Sequence, residues 1–145
     1  MKQYYGIDLL NDAEGITQTT IEQIRKVLVE AEVKGWGFDE IVNRLDSPDL
    51  TRNRSRLIAR TEIVTASNGA AVIQAKESGL ILNKEWVSAR DNRVRRDHLQ
   101  VNGKVVGIDD DFTVGTAKMS QPGDRRGGAS ECCNCRCCCV FIEVE

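Results

Sequence analysis

The stretch LIARTEIVTASNGAAVIQAKESG, residues 57–79, decides how the chain is organised. Leu57, Thr61, Val64, Asn68, Ala71, Val72 and Ala75 recur at spacings of three and four, which predicts one face of a long helix running from about Asp49 to Glu77. Ser78-Gly79 ends it. Its interior is rich in small residues, Thr65, Ala66, Ser67, Gly69 and Ala70, so other elements can approach it closely and it is expected to be packed on more than one side. Arg52, Arg56 and Arg60 stand four apart on one face, a stripe that is either solvated or turned toward an acidic partner.

Upstream the same period continues. Ile16, Ile21, Ile24, Val27, Leu28 and Ala31 predict a helix over residues 16–34, with Thr17, Thr19 and Thr20 offering N-cap hydroxyls and Gly35 a stop. Phe38, Ile41, Val42 and Leu45 predict a short second helix that Asp46-Ser47-Pro48 closes. Downstream of Gly79 the pattern becomes short and extended. Residues 85–89 and 140–145 read as strands, and Val101–Val106 as an Asn-Gly hairpin followed by an apolar piece. The expected fold is α+β: N-terminal helices, one of them long, packed on a small, mainly antiparallel C-terminal sheet. With 145 residues, a single domain 1–145 is expected, helical over 1–79 and sheet and loops over 80–145.

The net charge is only −2, which argues against a dedicated nucleic-acid binder. That average conceals a basic middle. Residues 51–104 carry 11 basic and 5 acidic side chains between acidic flanks, an arrangement that suits either intramolecular pairing or a polyanionic partner. No apolar run reaches the length of a membrane span, and no charged-then-apolar leader follows Met1, so neither a span nor a signal peptide is expected.

All six cysteines fall between Cys132 and Cys139. Consecutive Cα atoms are about 3.8 Å apart where a relaxed disulfide wants about 5.5 Å, so an ordinary disulfide framework within the run is excluded. If the run is extended, Cys133, Cys135, Cys137 and Cys139 share one face, and a pair such as Cys135 and Cys137 could join His98 around zinc. The other reading is that these are small buried hydrophobes in a terminal strand. His98, the chain's one histidine, follows Asp97, and that pair also suits a metal-dependent nuclease or a toxin-like effector.

The order Arg60-Thr61-Glu62, Trp86, Asp91-x-Arg93, His98, Asn102-Gly103, Pro122-Gly123-Asp124 and Asn134-Cys135-Arg136-Cys137 resembles the phage Mu F-like head-morphogenesis proteins, minor capsid proteins of tailed phages and prophages. The resemblance covers nearly the whole chain. It implies a structural protein without catalytic residues, acting in procapsid assembly near the portal. Its partners would be portal and capsid or scaffolding proteins, with DNA contact through Arg52, Arg56, Arg95 and Arg96 and no membrane. Its location would be the virion and the bacterial host cytoplasm. Many relatives place two cysteines in the segment matching Arg95 to His98, whereas here only His98 keeps a ligand type. Read physically, Arg60, Glu62, Trp86, Asp91, Arg93 and Asn134 form the expected structural network, with Arg60 and Glu62 pairing toward Asp91 and Arg93.

Overall fold

A computed structural model of the chain describes residues 18–46 and 51–144. The chain divides inside its longest helix into two compact units, residues 1–63 and 64–145.

In the first unit, α1 (Gln18–Lys34) buries Ile21, Ile24, Leu28 and Ala31, the stripe that its three-and-four spacing predicts. Ile16 and Thr17, expected to open this helix, lie outside the described residues, and Thr20 is buried within it. At the C-terminus Gly35 takes φ +65°, and the Trp36 N–H donates to the Ala31 carbonyl at 3.0 Å. That six-to-one bond is a Schellman ending, which needs the left-handed residue that glycine supplies. The Trp36 ring then lies 4.9 Å from Lys34 Nζ and 4.7 Å from the Arg44 guanidinium. In α2 (Phe38–Leu45), Asp39 and Glu40 occupy the first turn, where the helix dipole favours carboxylates, and Ile41, Val42 and Leu45 are buried. The next helix, α3 (Arg52–Glu77), starts with Thr51 Oγ1 accepting from the Arg54 N–H at 3.4 Å. Ser47, Pro48 and Asp49 lie outside the described residues. Ile58 and Ala59 of α3 complete one aliphatic cluster with the buried faces of α1 and α2.

In the second unit, β1 (Leu82–Val87) is the centre of a three-stranded antiparallel sheet, with β2 (Val105–Gly107) on one side and β5 (Cys138–Glu143) on the other. Between them come α4 (Arg96–Val101), the hairpin β3 (Phe112–Val114) and β4 (Ala117–Met119), a 3-10 turn at Arg125–Gly127, and α5 (Gly128–Cys132). Trp86 is fully buried and meets His98 and Phe112 edge to face, with ring centroids 5.4 and 5.3 Å away. Lys84, also fully buried, donates from Nζ to the Ile108 carbonyl at 3.0 Å over the Phe112 ring, and burial lowers its pKa.

The α+β order agrees with the sequence reading, while some local readings need correction. Asn102-Gly103 joins α4 to β2 and not two strands. Asn102 at φ −57°, ψ 129° and Gly103 at φ +79° form a type II turn closed by Lys104 N–H to the Val101 carbonyl, 3.0 Å. Asn-Gly reports a left-handed position; it does not report what flanks it. The first strand begins at Leu82 and ends at Val87, because past Val87 the Ser88 N–H turns to Asn102 Oδ1 at 2.8 Å. The last strand begins at Cys138, earlier than Val140.

The small-residue part of α3 receives neighbours as expected. Gly123, at φ +83°, sits so near that an added Cβ would lie 2.9 Å from Thr65 Cα, and Thr65 Oγ1 donates to the Gly123 carbonyl at 3.1 Å. Pro122-Gly123-Asp124 is thus a contact motif. Asp124 then closes the following turn, accepting from the N–H groups of Ser120 at 2.7 Å and Arg126 at 3.0 Å.

Candidate functional site

Two turns carry the site residues to one point. After Asp91, whose Oδ1 accepts from the Arg93 N–H at 2.9 Å, the chain enters α4, where His98 and Val101 share the buried face. On the other side α5 ends at Cys132 and the chain reverses. Cys133 at φ −60°, ψ 129° and Asn134 at φ +57° form a second type II turn, closed by Cys135 N–H to the Cys132 carbonyl at 3.2 Å. Asparagine is the side-chain-bearing residue that best tolerates that left-handed position, which accounts for Asn134 ahead of Cys135-Arg136-Cys137.

The reversal brings Cys135 and Cys137 to His98. Cys137 Sγ lies 3.3 Å and Cys135 Sγ 3.7 Å from His98 Nδ1, all three residues are buried, and their donor atoms fall within 4.8 Å of one another. The other ring nitrogen, Nε2, is 3.0 Å from Glu131 Oε2. A carboxylate only accepts, so the proton sits on Nε2 and the Nδ1 lone pair faces the two sulfurs. The Cys137 thiol donates toward Cys135, which lowers the Cys135 pKa below the ordinary thiol value. Cys137 is itself pushed up by that bond and by burial, with His98 pulling the other way. All six cysteines are free thiols. Cys132 donates to the Asp124 carbonyl at 2.8 Å, and burial raises it to about 12.

Both ring nitrogens of His98 thus face groups of the protein, Nδ1 the two sulfurs and Nε2 the Glu131 carboxylate. The run of cysteines is not one extended strand. Cys132 belongs to α5, Cys135 and Cys137 lie in the connection, and Cys138 and Cys139 open β5.

The other expected residues have the following surroundings. Asp91 pairs with Arg136 through both carboxylate oxygens, one of the bonds 2.7 Å long, and this holds its pKa down at about 2. Arg136 was not in the expected network. Arg93 contributes its backbone to that turn, and Trp86 forms the aromatic centre behind His98. Arg60 lies 5.5 Å from the Phe38 ring, and Glu62 is buried. Among the arginines expected to meet DNA, Arg52 contacts Asp46 at 3.3 Å and Asn43 at 3.2 Å, Arg95 donates to the Cys133 carbonyl, and Arg56 and Arg96 are exposed.

Glu131 and Asn68 were not read as partners of the cysteine region. Asn68 donates to the Cys137 carbonyl and accepts from the Cys139 N–H, both at 3.1 Å, so it occupies the place of a neighbouring strand at the start of β5. A polar residue in the middle of an otherwise small and apolar helix face was the available signal.

Similarity to known proteins covers most of the chain. The sequence profile of the family described as "Phage Mu protein F like protein" matches residues 22–140. The chain is 30% identical over 130 residues to the uncharacterized protein YqbB of Bacillus subtilis (strain 168), covering 86% of this chain and 43% of that protein. It is 32% identical over 133 residues to the NAD(+)--arginine ADP-ribosyltransferase EFV of Enterococcus faecalis (strain ATCC 700802 / V583), covering 91% of this chain and 26% of that protein. It is 26% identical over 126 residues to the minor head protein GP7 of Bacillus phage SPP1, covering 84% and 41%. The chain therefore spans less than half the length of these relatives. No solved structure matches it. The profile match reaches from α1 to the start of β5 and includes His98, Cys135 and Cys137, and on that ground the chain belongs to the Phage Mu protein F like family.

Proposed function

We propose that the protein is a structural component of head morphogenesis in a tailed phage or prophage, acting near the portal during procapsid assembly. The carrying observation is the family match over residues 22–140 together with the similarity to a phage minor head protein along 84% of the chain. Its partners are then portal and capsid or scaffolding proteins, and its place is the host cytoplasm before assembly and the virion after it. Among the described residues no helix is long and apolar enough to cross a membrane. The similarity to an ADP-ribosyltransferase spans 26% of that protein, and its name describes the whole of it. The profile match to a phage protein family supports the head-assembly reading over the transferase one.

DNA contact is a finer part of the same reading, with Arg56 and Arg96 as the exposed cations that support it. The test is co-purification of the tagged protein with the portal from cells producing particles, and mass spectrometry of purified heads. Portal association and a few copies per particle are expected. Its absence from both portal complexes and particles overturns the proposal.

A further inference from the structure

We infer that His98, Cys135 and Cys137 bind one zinc ion whose fourth coordination position holds a solvent molecule. Zinc takes nitrogen at about 2.0–2.1 Å and sulfur at about 2.3 Å, so the N-to-S edge of its tetrahedron is about 3.6 Å. The two Nδ1-to-Sγ separations, 3.3 and 3.7 Å, bracket that edge. Glu131 supplies the outer partner that a metal-bound histidine uses, holding the ring so that Nδ1 is the free lone pair. Two thiolates and an imidazole select zinc over the oxygen-seeking magnesium and calcium.

A second observation supports a solvent molecule as the fourth ligand. The three donors line, with Arg93, Arg95, Asn134 and Arg136, a cavity of about 10 Å³. That is about the room one water needs, and it is too small for another side chain. Two thiolates cancel the ion's charge, and the arginines around the cavity favour a hydroxide or a small anion in it. The ion ties α4 to the segment entering β5, residues 37 and 39 positions apart, so its binding energy acts directly on the fold of this unit.

The test is metal analysis and cobalt substitution of the purified chain. Zinc at one per chain is expected, and cobalt should show thiolate charge-transfer and tetrahedral d–d bands. Changing Cys133, Cys138 and Cys139 together to Ser should leave both results unchanged, while Cys135→Ser or Cys137→Ser abolishes them. Glu131→Gln, which keeps all three ligands and serves where the cysteine variants do not fold, should weaken affinity by about 10–100-fold. Added cyanide should shift the cobalt bands. Absence of metal, its loss in the triple variant, or unchanged affinity in Glu131→Gln overturns the site. Cobalt bands indifferent to cyanide overturn the open position.

Discussion

Each of the two units of this chain is stabilised internally by different physics. Residues 18–63 bury Ile21, Ile24, Leu28, Ile41, Val42, Leu45 and Ile58, so that unit rests on aliphatic area removed from water. Residues 64–144 have fewer large aliphatics to bury. Their interior holds Lys84, His98, Asn68 and three cysteines beside Trp86, Phe112 and Met119, and it is organised by directed bonds. A non-directional core tolerates rearrangement at constant volume, whereas a directed one fails when a single donor or acceptor is removed.

The largest expected effect is Trp86→Ala, which empties the contact to both His98 and Phe112 and should cost about 3–5 kcal/mol in urea unfolding. Next comes Asn68→Leu, nearly isosteric, which leaves the Cys137 carbonyl and the Cys139 N–H without their partner and should cost roughly 2–4 kcal/mol. An equally conservative swap in the other unit, Ile24→Leu, should cost less than about 1.5 kcal/mol. If Ile24→Leu proved as damaging as Asn68→Leu, the contrast between the units would be lost.

A smaller effect concerns acid. The folded Asp91 pKa is lowered to about 2 from 3.8, so its pairing with Arg136 contributes stability that is complete above pH 3.8 and disappears as pH falls toward 2. Asp91→Asn should flatten stability across that window: its deficit against the wild type is small, since the carboxylate is exposed, is present in full near neutrality and vanishes as pH approaches 2. A wild-type slope retained in the variant would assign the acid response to other carboxylates.

The same contrast governs what could be read from the sequence. Periodicity is a statement about apolar faces, so α1 and α2 were legible from Ile24, Leu28, Ile41 and Val42, and α3 from Val72 and Ala75. Directed ties leave little periodic trace. The hairpin β3–β4, two three-residue strands around Gly115-Thr116, was not read, although Gly115 at φ +57° is the residue a two-residue loop asks for. The three candidate metal donors were legible as residue types. Their convergence depends on Asn134 reversing the chain after α5, and Glu131 became visible only once that helix was in place. Arg136 was read only as part of a motif, because its partner Asp91 is 45 residues away.

The most direct test of the account compares hydrogen exchange of the wild type and Cys137→Ser, peptide by peptide. Loss of protection is expected in residues 96–101 and 128–143, the two segments that the His98–Cys137 contact joins, with α1 and α2 unchanged. Equal loss in α1 and α2, or unchanged protection in 96–101 and 128–143, would contradict it.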